Sequence, residues 1–571
     1  MKRMRLPIFL LALSIVFFSA CAPTRVVRYP ATRWLQDNDR IPIDKPKTRR
    51  EYSIADGVQY QFFYQLERLV DIPLRGQRAL HALGAAPLEE AYNTNNFDEV
   101  ADSTWFTNRL GKQGLSAEEL RRAGTGTEEG PDPRGPWKII QAKKAGVSPG
   151  FLIEDSAGEK FFLKFDPPDN LEMMTAAEVI GTRIIYAMGY NVAQTYIVNF
   201  SPSILRISEK LSSKKASEKD FLNQEKLDEM LRDVPRLSDG RLRAVASRFL
   251  EGEIIGPFPI RGKRRGDAND RIPHEHRREI RGYRYFSALI GNTDVREGNS
   301  LDSFIRTGPG DKGYVKHYMM DFGNSLGSAT VKSKSKMHYQ DYEFNYGEVL
   351  ATTVTLGGYR RNYEKIEDPG MPSVGLFESK YFKPQTFRPH YPYPPFQNTT
   401  DRDAFWATKI LTRLSDQQIA LVVKEGRYSD PRAEAYVTKT LIERRNKIRD
   451  HWFTVMNPLD NFKLSAQAQG VRVDFEDLAV VSGLRPAGSA LYRFRVLQER
   501  GVYEAMPWTE TSVNSLVLPS EVVDRLQAGK PYLLQLQTKA QDQKFFGPII
   551  DLIIQKDDQL RLLGLKRRYD A

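Results

Sequence analysis

The chain has 571 residues, 40% of them hydrophobic and 11% aromatic, and carries a formal charge of +12 at pH 7. That balance excludes a disordered or fibrous polypeptide and leaves room for roughly two to four globular domains. One cysteine, Cys21, excludes a disulfide framework and any cysteine-based metal site in the folded chain.

The chain opens with Lys2, Arg3 and Arg5, followed by an almost unbroken apolar run from Leu6 to Phe18 and by the small residues Ser19 and Ala20. A basic start, a short apolar stretch and small residues predict a secretory signal peptide. The run is too short for a bilayer, which needs about 20 apolar residues. The segment "FSAC" resembles the lipobox of bacterial lipoproteins, with Phe18 where a leucine is usual. The resemblance implies cleavage after residue 20, lipidation of Cys21 and an exported protein anchored to a membrane. Ala22 after the cysteine implies sorting to the outer membrane, facing the periplasm. Removing Lys2, Arg3 and Arg5 lowers the charge to +9, and this excess is spread along the chain. The one dense basic cluster, "RGKRRG" at Arg261 to Gly266, predicts a solvated loop. There is no nucleic-acid motif and no internal repeat, so no nucleic-acid partner is expected.

Residues 21–135 form a mixed N-terminal extension that closes on the loop-like "GTGTEEGPDPRGP". Within it, "DSTWFTNR" around Trp105 predicts packing at a domain junction. "WKIIQAK" reads as a strand, "KAGVSPG" as a loop carrying Gly146 and Gly150, and "FLIEDS" as a second strand. A third strand, "FFLKFD", carries Lys164. Two strands bridged by a glycine loop and followed by a strand lysine make a phosphate cradle with a point charge behind it. A helix follows from about residue 171, with Asn170 as its N-cap and Val179, Ile180, Ile184 and Ala187 at helical spacing. Glu178 on that helix can reach back to Lys164; Glu172 is its rival.

Further on, "HEHRREIRGYRYFSALIG" predicts a buried helix through Ile280, Tyr283, Phe286, Ala288 and Leu289. Two histidines on alternate residues of a helix point apart, so His274 and His276 do not suggest a metal site. In "NTDVREGNSLD", Asp294 and Asn299 are five residues apart, and Arg296 stands two after the aspartate. Asp302 reads as a structural cap. "GYVKHYMMDFGNSLGS" places Asp321, Phe322 and Gly323 directly after an apolar strand. A Pro/Tyr-rich stretch, "FKPQTFRPHYPYPPF", precedes a helical region. There Ser415 and Gln418 make a capping-box pattern, and Ala433, Tyr436, Val437, Leu441 and Ile448 form one apolar stripe. Beyond residue 460, "LYRFRV", "YLLQLQ" and "IIDLII" alternate or run apolar between turns, which predicts an all-β sandwich.

The order of strand lysine, helix glutamate, D-x-x-x-x-N and D-F-G resembles that of the protein-kinase fold. Asn292 stands where the catalytic loop of eukaryotic kinases has histidine. The pattern is similar to atypical kinases of the HipA-like and CotH-like kinds and covers residues 136–460. The resemblance implies an α+β chain: a two-lobed kinase-like domain with a β-rich N-lobe and helical C-lobe, followed by a β-sandwich at 461–571. Gly146, Gly150, Lys164 and Glu178 would bind the nucleotide, ATP. Asn299 and Asp321 would hold Mg²⁺ or Mn²⁺ through hard oxygen atoms. Asp294 would accept the proton of an attacking hydroxyl, and Arg296 would support the transferring charge. The function expected is phosphoryl or nucleotidyl transfer to a hydroxyl. The alternative is a non-catalytic envelope scaffold that keeps the fold and binds a protein or glycan.

Overall fold

The structure, a computed structural model, describes residues 38–50, 76, 78–80, 88–112, 114–124, 130–142, 150–213, 221–308, 310–336, 346–359, 362–498 and 504–568. Cys21, the expected signal peptide and Gly146 lie outside the described residues. The chain is α+β and divides into two compact units. One takes in Arg33–Thr94 and Val100–Trp452, the other Asn95–Glu99 and Phe453–Asp570.

Two sheets organise the first unit. β1 (Ile43–Asp44) is a two-residue edge strand. β2 (Trp137–Ala142), β3 (Gly150–Glu154) and β4 (Lys160–Phe165) form an antiparallel meander, as the alternation of apolar residues predicts. After a helix, α1 (Met173–Ala187), come β5 (Thr195–Phe200), β6 (Leu205–Ile207) and β7 (Leu242–Arg248). These six strands lie in the order β5-β7-β4-β3-β2-β6, with only β2 and β6 parallel. Phe161, Leu163 and Phe165 of β4 enter a core with Phe151, Ile153, Leu242 and Ala246. Burying each of those β4 side chains contributes about 1.5–3 kcal/mol. The period of two then sends Lys164 to the opposite face. Its cross-strand neighbours are Gly150 on β3 and Val245 on β7, and Val245 packs on Met174 and Val179 of α1.

Every residue of α1 is buried, as befits a helix apolar on nearly all sides. Its start differs from the expectation. Asn170 is not the N-cap; its N–H donates to Pro167 O at 3.1 Å and its Nδ2 to Pro372 O at 2.9 Å. The carboxylate of Asp166 serves the first turn instead, accepting from Thr175 N–H at 2.8 Å and from Thr175 Oγ1 at 2.8 Å. An acceptor arriving from the end of the preceding strand does the work of a cap and fixes the helix on the sheet.

The second sheet joins β1 to β10 (Lys312–Met319), β9 (Ser300–Arg306) and β8 (Glu253–Gly256), all antiparallel. A helix, α2 (Arg278–Ile290), lies between β8 and β9 in the chain and ends at Gly291, whose φ of 66° is the left-handed geometry glycine adopts without cost. The expected helix from His274 is shorter than its sequence suggested. His274–His276 is a 3₁₀ turn, because Arg277 is extended and His274 is tied to Asp270 Oδ2 at 2.8 Å and to Pro259 O. Helices α3 (Asp401–Leu411), α4 (Asp416–Lys424) and α5 (Pro431–Val455) follow. The Ser415 and Gln418 capping box closes in both directions at 3.1 and 3.0 Å.

Among the described residues the second unit holds eight strands: β11 (Leu459–Gln467), β12 (Gly470–Asp477), β13 (Ala490–Gln498), β14 (Glu504–Thr511), β15 (Ser515–Pro519), β16 (Pro531–Ala540), β17 (Ile550–Lys556) and β18 (Leu560–Arg567). They form sheets of order β11-β12-β15 and β14-β13-β16-β17-β18. Val473 and Leu518 of the first share a core with Tyr492, Phe494, Leu534, Leu536 and Leu552 of the second. Two sheets facing across one apolar layer make a β-sandwich, and the alternating residues of "LYRFRV" and "YLLQLQ" supply its interior.

Candidate active site

Lys164 lies between two carboxylates. Its Nζ is 3.2 Å from Glu178 Oε2 on α1 and 3.1 Å from Asp321 Oδ1 in the segment after β10. The same Glu178 oxygen accepts Gly323 N–H at 3.0 Å. One carboxylate therefore holds both the strand lysine and the backbone of the D-F-G turn. Glu172, the rival, is turned elsewhere and accepts Ser429 N–H at 2.9 Å. Burial works against the Lys164 ammonium, but Asp321 and Glu178 more than reverse this, so its pKa stands above the ordinary lysine value. Burial pushes the Glu178 carboxyl up, while Lys164 pulls it back. Exposure rises across the group: 5% for the Glu178 side chain, 15% for Lys164 and 41% for Asp321. The solvent-facing end of the group is thus an aspartate.

Asp321 has a φ of 60°. A non-glycine residue in that region costs roughly 1–2 kcal/mol, and aspartate tolerates it better than most. Phe322 and Ser325 hold the turn in place. Phe322 packs against α1 at Gly181, where an added Cβ would lie 2.7 Å from the Phe322 Cβ. Ser325 Oγ donates to Phe322 O at 2.5 Å. Helix and turn are therefore packed and bonded together around Glu178.

Asp294, Arg296 and Asn299 form a second group. Asn299 Nδ2 donates to Asp294 O at 2.5 Å and to Asp294 Oδ2 at 3.0 Å. Arg296 Nε donates to Asp294 Oδ1 at 3.2 Å. With its Nδ2 engaged on Asp294, the amide oxygen of Asn299 is the atom it has for a cation. The two groups run side by side. Met320 N–H donates to Asn299 O at 2.9 Å, Leu326 N–H to Ile290 O at 2.8 Å and Thr293 Oγ1 to Asn324 Oδ1 at 3.3 Å. An Asp carboxylate and an Asn amide are hard donors that suit Mg²⁺, which takes few protein ligands and completes its shell with phosphate and water. Among the described residues, no group of three or more His, Cys, Asp and Glu side chains is placed to hold a metal.

Other sequence readings find different places. Gly150 is buried directly across from Lys164. Asp302 is not a cap. It sits in mid-strand, fully buried, with Arg264 NH1 at 2.6 Å and His317 Nδ1 at 2.6 Å. The cluster at Arg261 to Gly266 is only partly solvated, because Arg264 turns inward to that aspartate. Trp105 does pack, stacking on His317 at 3.5 Å with Arg277 over its ring at 4.6 Å. A separate cavity of about 1150 Å³ is lined by seven arginines, Arg121, Arg122, Arg134, Arg183, Arg206, Arg241 and Arg427, and by none of the candidate residues. Four of the seven are in close ion pairs, Arg121 with Glu425, Arg122 with Glu118, Arg134 with Asp132 and Arg241 with Asp239, all within 2.9 Å.

Two positioning groups escaped the sequence reading. Asp166 and Thr175 set the start of α1, and the buried Lys334 reaches Gly291, Thr293 and Asn324. In sequence, Lys334 is one of three alternating lysines, and only the exposure of Lys332 and Lys336 beside its burial tells them apart.

No family model and no curated protein matches the chain. Two solved kinases are similar to it. The Helicobacter pylori proinflammatory kinase CtkA shares 15% identity over 56% of this chain and 96% of its own, with a TM-score of 0.30. The Golgi casein kinase shares 11% identity over 72% of this chain and 98% of its own, with a TM-score of 0.22. The functional reading therefore rests on Lys164, Glu178 and Asp321.

Proposed function

We propose that the chain is a kinase-like phosphotransferase that moves a phosphoryl or nucleotidyl group from a nucleotide to a hydroxyl. The observation that carries this is the Lys164 ammonium held between Glu178 and Asp321 beside a hydrogen-bonded Asp294 and Asn299. Phosphoryl transfer asks a protein mainly for charge neutralisation and positioning, and this set supplies both. Lys164 would bind the phosphates of ATP under Gly150, with Glu178 holding it in place. The acceptor oxygen bonds to the γ-phosphorus, the bond to the bridging oxygen breaks, and ADP leaves. The acceptor proton passes to the Asp294 carboxylate, whose two oxygens already accept from Arg296 and Asn299 and so stay fixed. Arg296, held by Nε on Asp294, would present the rest of its guanidinium to the transferring charge. Mg²⁺ or Mn²⁺, held by Asp321 and Asn299, would neutralise phosphate charge.

The proposal extends to place. With lipid on Cys21 the enzyme would stand on the periplasmic side of the outer membrane, where its acceptor would be an envelope protein or glycan.

Thermal unfolding of the soluble chain from Pro23, with and without ATP and Mg²⁺ or Mn²⁺, tests the site. Ligand at about 100 times its dissociation constant stabilises by about 2.7 kcal/mol. A metal-dependent shift that disappears in Asp321→Asn supports the reading. The absence of a shift with any nucleotide overturns it and favours the envelope scaffold.

A further inference from the structure

The six-stranded sheet does not close on itself. In the order β5-β7-β4-β3-β2-β6 the two edge strands, β5 and β6, are consecutive in the chain and joined by residues 201–204 alone. The sheet therefore curls until its edges approach, and the seam between them is the arginine-lined cavity of about 1150 Å³. Residues 196–200 of β5 line one side, and Trp137 of β2 with Arg206 of β6 line the other. The neighbouring wall, from residues 130–136, includes Pro131, Pro133 and Pro136, which have no N–H to add to the β5 edge. The edge is left open.

The backbone of β5 makes the seam a donor surface. Arg248 N–H donates to Gln194 O at 2.8 Å, so the even-numbered residues here bond to β7 and the odd-numbered ones point away from it. Two outward carbonyls are taken: Arg183 NH2 donates to Thr195 O at 3.1 Å and Arg427 NH1 to Ile197 O at 3.2 Å. The N–H groups of Ile197 and Asn199 then face the seam beside those guanidiniums. Against seven arginines the lining has two carboxylates, Glu118 and Glu425, and both are already engaged. Arg206 and Arg427 are exposed and have only carbonyl partners among the described residues, Arg206 on Ser203 O and Leu205 O and Arg427 on Ile197 O. Arg427 has a φ of 48°, and the buried Arg243 holds that turn by donating to Arg427 O at 2.9 Å and Gly426 O at 2.5 Å. Half-buried Val198 and Ile204 add apolar surface between the charges.

We propose that the seam is a docking site for an extended acidic segment of a partner protein. The segment lies along β5 as an added strand, with its carbonyls on the Ile197 and Asn199 N–H groups and its Asp or Glu side chains on Arg206 and Arg427. A single small anion needs its donors gathered at one point, whereas these are spread along two strand edges. The cavity also exceeds the roughly 300–1000 Å³ usual for a small ligand. An extended chain sends every second side chain to one face, about 7 Å apart. Acidic residues can thus reach the arginines while those between them meet Val198 and Ile204. The site shares no residue with the Lys164 group and does not depend on the phosphotransferase reading.

The test is fluorescence anisotropy of a labelled octapeptide of alternating Glu and Val with the soluble chain from Pro23, beside the same peptide with Gln for Glu. The acidic peptide should bind and the Gln peptide should not, and raising the ionic strength from about 0.05 M to about 0.5 M should weaken the binding. Arg206→Gln and Arg427→Gln should each weaken it roughly two- to fivefold. Arg306→Gln, which removes an exposed charge from β9, should leave it unchanged. Amide hydrogen exchange at Ile197 and Asn199 should slow in the complex. No binding up to about 1 mM peptide overturns the proposal. So does an equal loss in Arg306→Gln, or unchanged exchange at both amides. Displacement by an equal concentration of inorganic pyrophosphate would mark a small-anion site and overturn it as well. Binding that appears only after Glu128→Gln with Glu129→Gln would assign the seam to the chain's own acidic residues, with the same consequence. Should Arg427→Gln fail to fold, Arg206→Gln and the exchange measurement decide.

Discussion

Lys164 of the six-stranded sheet and Asp321 in the turn after the four-stranded sheet form an ion pair at 3.1 Å. The two residues are far apart in sequence, so the pair ties the six-stranded sheet to the segment that leaves the four-stranded one. It also leaves a definite order: Glu178 is the buried anchor and Asp321 is the accessible end. A ligand cation would compete with Lys164 for Asp321 without disturbing the anchor.

Breaking the anchor should be expensive. Lys164→Met leaves Glu178 buried with only backbone donors, a loss of about 3 kcal/mol. Lys164→Met with Glu178→Met removes both charges and should recover part of it, giving a coupling energy of about 1–3 kcal/mol in urea unfolding. Additive losses would mean that the two side chains do not share charge in solution.

Asp321 combines a ligand atom with an unusual backbone, and two substitutions separate them. Asn is at ease with a positive φ, so Asp321→Asn should lose only the ion pair with Lys164, about 1 kcal/mol. Ala lacks that ease, and Asp321→Ala should cost about 1 kcal/mol more. Both should abolish the metal-dependent nucleotide shift in thermal melts. Equal stability of the two variants would show that the φ of 60° is not kept in solution.

The sequence made some of this legible and hid the rest for physical reasons. The strands of Lys164 and of Tyr492 announce themselves because one face is apolar and the period is two. Glu178 could be picked over Glu172 only by tertiary contact, since both lie near the start of one helix. Asp302 and Arg264 misled because a charge is normally solvated, and their mutual pairing cannot be seen along the chain. The helix expected from His274 failed at Arg277, where the extended backbone serves buried bonds from His274 that local propensity does not encode. Lys334 was invisible for the opposite reason: it looks like its neighbours, and only the fold chooses which lysine goes inside.

Acid should expose a second buried network. Burial would raise the Asp270 carboxyl, but His274 and Arg277 overcome it and hold it well below the usual carboxylate range. A folded value below the unfolded one contributes stability that is present above about pH 4 and is lost as the pH falls further. Asp270→Asn should therefore destabilise by about 2–4 kcal/mol near neutrality, with a gap from wild type that narrows in acid. Urea midpoints measured near pH 6 and near pH 3 read both values, and a gap that stays constant would remove Asp270 from the acid response.

Gly181 supplies the last prediction, because two effects of known size oppose each other there. Alanine in a helix is better than glycine by about 1 kcal/mol. Against this, the new Cβ would meet the Phe322 Cβ at 2.7 Å, in a helix buried on every side, and overpacking of that kind costs about 1–3 kcal/mol. The clash involves a side-chain atom next to the backbone, which cannot swing aside as a long side chain could. Gly181→Ala should then lose about 1–2 kcal/mol net. Phe322 would be pushed off α1, and Asp321 would go with it, away from Lys164. The nucleotide-dependent thermal shift should shrink more than the loss of stability alone accounts for. A variant more stable than wild type, with its nucleotide shift intact, would mean that α1 and the D-F-G turn are not in close contact.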